Sequence, residues 1–121
     1  MPDDYMSYLI KKLKDSGWDI DESKIKSLKD LKEFLEENEV YDKFMLYSIL
    51  SRLFHSTKDY ITMNYPDSDI LYEVVMKIAQ KFNYNDLNEA IAKSDEELRK
   101  YDIASNVLKV VTGLLDLMTE G

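Results

Sequence analysis

The sequence predicts an all-α protein, a single-domain bundle of five to six helices over residues 1–121. Apolar residues recur every three or four positions along most of the chain, which is the spacing of one helix face. Glycine and proline number only three and two, too few for the many tight turns of an all-β fold. The one β-branched stretch, 107–112, lies among polar residues spaced seven apart, and this spacing favours a helix there as well.

The first two helices are predicted over 3–16 and 23–38. Gly17 suits the left-handed conformation that commonly follows the end of a helix, and Asn38 can end the second. Between the helices, Trp18 and Ile20 are expected to pack onto the core. The apolar faces are Met6, Leu9, Ile10 and Leu13 in the first helix, and Ile25, Leu28, Leu31, Phe34 and Leu35 in the second.

The third helix is predicted over 40–64, and we expect it to form the centre of the bundle together with the last helix. Residues 44–54 are apolar on nearly every side, so this segment should be covered on more than one side. Pro66 should end the helix, because proline disfavours helical geometry in the residue before it.

A helix at 69–83 and a short one at 86–93 are predicted to precede the last helix, 95–118. Ser94 and Glu97 have the spacing of a capping box, which marks the start of a helix. The last helix has a narrow polar stripe at Asp102, Lys109 and Asp116. Its two apolar seams are Ile103, Val107, Val110, Leu114 and Leu117, and Ala104, Leu108, Val111, Leu115 and Met118.

Composition excludes several classes of protein. With no cysteine, the chain has neither disulfides nor zinc–thiolate sites. No apolar run approaches the length of a membrane span, and the N-terminus is acidic rather than basic, so we expect a cytoplasmic protein without a membrane partner. The net charge of −8 argues against nucleic acid as a partner, because binding to phosphates depends on lysine and arginine.

Arg52 and His55 are the candidates for chemistry, because they lie three residues apart on one helix face with Lys58 and Tyr60 close by. Histidine can act as a general base near neutral pH, and arginine can hold a phosphate or carboxylate. The alternative is a structural surface patch in which Arg52 and His55 bond to acidic neighbours, and we favour it over catalysis.

No motif predicts a metal, a cofactor or an activated nucleophile. A di-iron bundle site needs a Glu-x-x-His pair on each of two helices, and the chain has one histidine, preceded at that spacing by Arg52. The acidic pairs Asp19/Asp21 and Asp67/Asp69 are interpreted as helix caps. Clustered glycines for a phosphate loop are missing as well.

Excess apolar surface suggests contact with another protein, most simply a second copy of this chain. Tyrosine supplies contact area together with a hydroxyl group, and five of the nine tyrosines lie between residues 41 and 72. The alternative is that these tyrosines only border the core. The interface candidates are Tyr41, Tyr47, Phe54, Val107, Val110, Leu114 and Leu117.

Three functions are compatible with these observations. The first is a helical interaction module that forms a homodimer, and the lack of a catalytic motif argues against an enzyme. The second is a small enzyme or ligand binder that acts on an anionic substrate, a nucleotide or RNA, through Arg52 and His55. The third is an acidic regulatory or antitoxin-like partner of a basic protein, whose binding should be sensitive to salt.

Overall fold

A computed structural model describes residues 2–120, which form five α-helices joined by short connections. The described residues contain no β-strand, so the predicted all-α class is confirmed. The helices are α1 (Pro2–Asp15), α2 (Leu28–Glu37), α3 (Val40–Thr62), α4 (Ser68–Lys81) and α5 (Leu87–Glu120), and Glu22–Lys24 form a single turn of 3₁₀ helix.

The connection after α1 follows the prediction. Gly17 has a φ angle of 112°, a region that residues with a Cβ rarely adopt, and it turns the chain away from the helix. Trp18 and Ile20 are buried, as expected. The indole N–H of Trp18 donates a hydrogen bond of 3.0 Å to the carbonyl of Lys100, which ties the connection to α5.

The predicted helix over 23–38 is wrong in its first turn. Residues 22–24 form the 3₁₀ turn, Ile25 is extended, and α2 begins only at Leu28. Two side chains compete with an unbroken helix here. Asp21 accepts a hydrogen bond from the backbone N–H of Ser23, and Ser27 accepts one from that of Asp30. Short polar side chains that bond to nearby N–H groups favour caps and turns over a helix interior.

Helix α3 ends at Thr62, two residues before the predicted end. Asn64 adopts a φ angle of 56°, and its N–H bonds to the carbonyl of Ile61, so the helix has already closed before Pro66. Asparagine tolerates this left-handed conformation better than most residues.

The predicted break between 93 and 95 is wrong, because α5 runs without interruption from Leu87. Ser94 is buried and donates a hydrogen bond of 3.2 Å to the carbonyl of Ile91 instead of capping a helix. The N-terminal cap is Asp86, which accepts a hydrogen bond of 2.7 Å from the backbone N–H of Glu89. The last helix therefore starts eight residues earlier than predicted.

Residue contacts divide the chain into two compact units, each with its own core. The first contains the described residues up to Phe44 and from Arg99 onward, and the second contains Met45–Leu98. That the chain is a single domain over 1–121 stays a prediction. The first core includes Leu13, Trp18, Leu31, Leu35, Val40, Ala104, Leu108 and Val111, and the second includes Leu50, Phe54, Val75, Ala79, Tyr84 and Ala90.

Candidate functional site

Asp95 joins α3 to α5 inside the second unit through both of its carboxylate oxygens. One oxygen accepts a hydrogen bond of 2.5 Å from the hydroxyl of Ser51, and the other lies 2.8 Å from Nε2 of His55. Ser51 is buried, whereas the side chain of His55 is half exposed. The three side chains form a polar contact at the border of the second core.

This arrangement differs from a hydrolytic triad. In a triad the histidine stands between the hydroxyl, whose proton it takes, and the carboxylate, which orients it. Here the carboxylate of Asp95 stands between Ser51 and His55, so the hydroxyl donates directly to the acid. The geometry supports the structural interpretation of His55, which bonds to an acidic neighbour.

Asp95 was missed by the sequence analysis, because Ser94–Glu97 was assigned to a helix start. If this segment is interpreted as one continuous helix, the position of Asp95 can be recognised from the sequence. On one helix, Asp95 lies next to the buried Ser94 and one turn after the partly buried Ile91, at the edge of the apolar face. A carboxylate at such an edge commonly bonds to a neighbouring element.

The four catalytic candidates have separate partners. The guanidinium of Arg52 lies 3.4 Å from the hydroxyl of Ser48 on its own helix. Lys58 donates to the side-chain carbonyl of Asn88 at 2.9 Å. Tyr60 donates to Asp67 at 2.5 Å, and this bond raises the pKa of the phenol. His55 pairs with Asp95, so each of the four candidates bonds to a different residue.

A cavity of about 380 Å³ lies in the second unit beside Lys58, the only one of the four candidates that lines it. Its volume is within the range of small-molecule sites. Two aspartates, Asp69 and Asp86, line it as well, and Lys58 is already bonded to Asn88. Two carboxylates beside one ammonium group are a poor match for an anionic substrate.

Tyr84 belongs to the second core. Its ring contacts Phe54 edge to face and stacks on Phe82. Burial raises the pKa of its hydroxyl to about 12. The hydroxyl group therefore stays neutral over the whole physiological range of pH, which fits a packing role.

The interface candidates separate into buried and exposed residues. Phe54 and Val107 are buried in the chain's own cores, so their inclusion as interface residues is corrected. Tyr47 and Leu114 are partly exposed, and Tyr41, Val110 and Leu117 are exposed. Of the two seams on α5, the one with Ala104, Leu108 and Val111 faces the core.

Val110 and Leu117, the exposed candidates on α5, share one side of the helix with Asn106 and Gly113, and we call these four residues the α5 face. These residues follow one another at intervals of four, three and four, so they share one side of the helix. Leu117 is 69% exposed and Val110 is 42% exposed. Met118, beside this face, is 63% exposed.

Gly113 lies at the centre of the α5 face, and nothing lies within 4 Å of the position that a Cβ would take there. Lys109 and Asp116 border the face on one side, and both are exposed. Neither has an ion pair with another residue of the described range 2–120.

Three other helices also have exposed apolar or aromatic residues, among them Tyr5 and Tyr8 on α1, and charge interrupts the stripes on α3 and α4. On α3, Tyr41, Met45 and Ile49 follow one another at intervals of four and are exposed, but Arg52 follows one turn later. On α4, Ile70 and Val74 are followed by Lys77 at the same spacing. The α3 stripe shows that this helix is not covered on every side by its own chain.

Within residues 2–120, no group of three or more acidic or histidine side chains is placed to hold a metal ion. Asp21 bonds to Ser23, Glu22 pairs with Lys14, and Asp67 accepts from Tyr60. None of the helices in this range has both the length and the apolar character required to cross a bilayer.

No protein-family model matches the chain, and no curated protein or solved structure matches it either. Inference about function therefore rests on the chain's own residues.

Proposed function

We propose that the protein is a helical interaction module that forms a homodimer through the α5 face. The observation that supports the proposal is the exposure of Val110, Leu117 and Met118 within nine residues of one helix. Single exposed apolar residues are common on monomers, whereas grouped ones mark interaction sites. Two-fold dimers are the commonest assembly, and one surface then serves both copies.

Burial of apolar area that is now exposed to water would stabilise the dimer. Complete burial of a leucine or methionine side chain contributes about 1.5–3 kcal/mol. Leu117 and Met118 each keep roughly two thirds of that area in water. In a two-fold dimer the same residues of both copies are buried. The free energy gained from each side chain therefore counts twice.

The α5 face suits a second copy better than the stripes on α3 and α4. On α4 the spacing that places Ile70 and Val74 on one side of the helix continues into the exposed Lys77 and Lys81, whose charges interrupt the apolar surface. On α3 the stripe of Tyr41, Met45 and Ile49 ends at the exposed Arg52. The α5 face has two large exposed apolar side chains, Val110 and Leu117, with Met118 beside it and two bordering charges of opposite sign.

The test is the molar mass measured by light scattering after size exclusion, over a wide range of protein concentration. We expect a mass approaching twice 14.2 kDa at the highest concentrations. A monomer across the whole range would overturn the proposal.

A matched pair of variants locates the contact. Leu117→Lys should shift the protein to the monomer, because it replaces the most exposed apolar side chain of the α5 face by a charge. Ile70→Lys is the control, since Ile70 on α4 is 67% exposed against 69% for Leu117. It removes a similar apolar area and adds the same charge, and it should leave the dimer intact. Equal effects of the two variants would contradict a contact at α5.

A further inference from the structure

We propose that the dimer is an antiparallel pair of α5 helices in which Val110 of one copy packs over Gly113 of the other, and Lys109 of one copy pairs with Asp116 of the other. The inference rests on the proposed function and gives the contact a geometry and a register.

Gly113 is the first argument. Glycine destabilises a helix interior relative to alanine, so its presence needs a reason. Gly113 has helical backbone angles, so a positive φ angle does not explain the glycine. Among the described residues, the glycine with a positive φ angle is Gly17. The chain itself does not require a small residue at Gly113, because nothing lies within 4 Å of a Cβ built there. An approaching second helix does require one, since a missing side chain lets two backbones come close.

The spacing of the α5 face is the second argument. Intervals of four, three and four residues are those of the core positions in a two-stranded coiled coil. Along each helix the two kinds of core position, a and d, alternate. An antiparallel pair places one type opposite the other. Val110 then faces Gly113 of the second copy, and Leu117 faces Asn106. The large side chain at 110 fills the space that the glycine leaves.

Charge complementarity is the third argument, and it sets the direction of the pair. Lys109 and Asp116 are seven residues apart and therefore occupy equivalent positions beside the face. In an antiparallel pair equivalent flanking positions meet, so Lys109 lies beside Asp116 of the second copy. The two-fold axis repeats this contact. In a parallel pair Lys109 would instead lie near Leu114 of the second copy, and both charges would lack a partner.

The test is charge reversal, read as the dimer dissociation constant from sedimentation equilibrium. Lys109→Glu and Asp116→Lys should each weaken the dimer about tenfold, since each places two like-charged contacts in the interface. The double variant Lys109→Glu/Asp116→Lys should restore an affinity near that of the wild type, because it exchanges the two partners.

Net charge by itself does not produce this pattern. Asp116→Lys lowers the net charge from −8 toward zero and would tighten the dimer if overall repulsion were the only effect. Lys77→Glu on α4 is the control for Lys109→Glu, because it changes the net charge equally at a site outside the α5 face. Circular dichroism of each variant checks that the helices are intact.

The outcomes separate the two proposals. A wild-type monomer overturns the homodimer and this geometry with it. A dimer that Leu117→Lys breaks, but that the single charge reversals leave unchanged or the double variant fails to restore, overturns the antiparallel register and leaves the homodimer standing. A dimer that Leu117→Lys leaves intact assigns the contact to another face and overturns this inference.

Discussion

Asp95 illustrates how the role of a residue depends on contacts that lie far away in the sequence. Its two partners, Ser51 and His55, are 44 and 40 residues away. A buried hydroxyl needs a hydrogen-bond partner, because burial without one costs free energy. The carboxylate of Asp95 meets this need for Ser51 and orients His55 at the same time.

At the residue scale we predict that Asp95→Ala lowers the free energy of unfolding by about 1–2 kcal/mol, because it removes the partner of the buried Ser51 hydroxyl. Glu96→Ala, at an exposed position next along α5, is the control and should change stability by less than about 0.5 kcal/mol. Urea unfolding followed by circular dichroism measures both.

The double variant Ser51→Ala/Asp95→Ala sharpens this test. It removes donor and acceptor together, so it should be more stable than the sum of the two single changes predicts. Strict additivity would show that the two side chains do not act as a pair.

At the element scale, helix starts are determined by particular side chains that satisfy backbone N–H groups. Ser27 does so for α2 and Asp86 for α5. Ser94 has the right sequence spacing for a cap, but it lies inside α5 and bonds to the carbonyl one turn earlier. Spacing alone does not distinguish these two settings, because both place a serine three residues before an acidic residue.

We predict that Ser27→Ala lowers the free energy of unfolding by about 1 kcal/mol, the usual effect of losing an N-terminal cap. Ser94→Ala should have a clearly smaller effect, because alanine favours a helix interior and no backbone N–H loses its acceptor. Urea unfolding of both variants gives the comparison. A larger loss for Ser94→Ala would indicate that α5 is interrupted there.

At the scale of the whole molecule, the net charge of −8 opposes self-association. Two copies repel one another over a distance comparable to the Debye length, which falls from about 30 Å at 0.01 M salt to about 8 Å at 0.15 M. Contacts at the α5 face have to overcome this repulsion. Added salt screens the charges and so reduces the repulsion.

We therefore predict that the dimer tightens several-fold as the salt concentration rises from about 0.01 M to about 0.15 M. Sedimentation equilibrium at each salt concentration measures the change. Lys77→Glu raises the negative charge and should make the dependence on salt steeper. A dimer that salt weakens would contradict this prediction. A complex with a basic partner, by contrast, should weaken as salt rises.

The all-α class, most helix positions and the residues of the buried faces could be predicted from local patterns of amino acids. Leu9, Ile10 and Leu13 on α1, and Leu31 and Leu35 on α2, are buried as their spacing predicted. The turn at Gly17 that follows α1 could also be predicted. These features depend on residues within one or two helical turns, so a local pattern contains them.

The tertiary structure determines which surfaces are covered. It buried the seam with Ala104, Leu108 and Val111 and left Val110 and Leu117 exposed, although both seams look alike in the sequence. It brought Asp95 to Ser51 and His55, and it kept α5 continuous through Ser94. The physical reason is that these outcomes depend on contacts between distant segments, and local periodicity shows which faces are apolar but not what each face contacts.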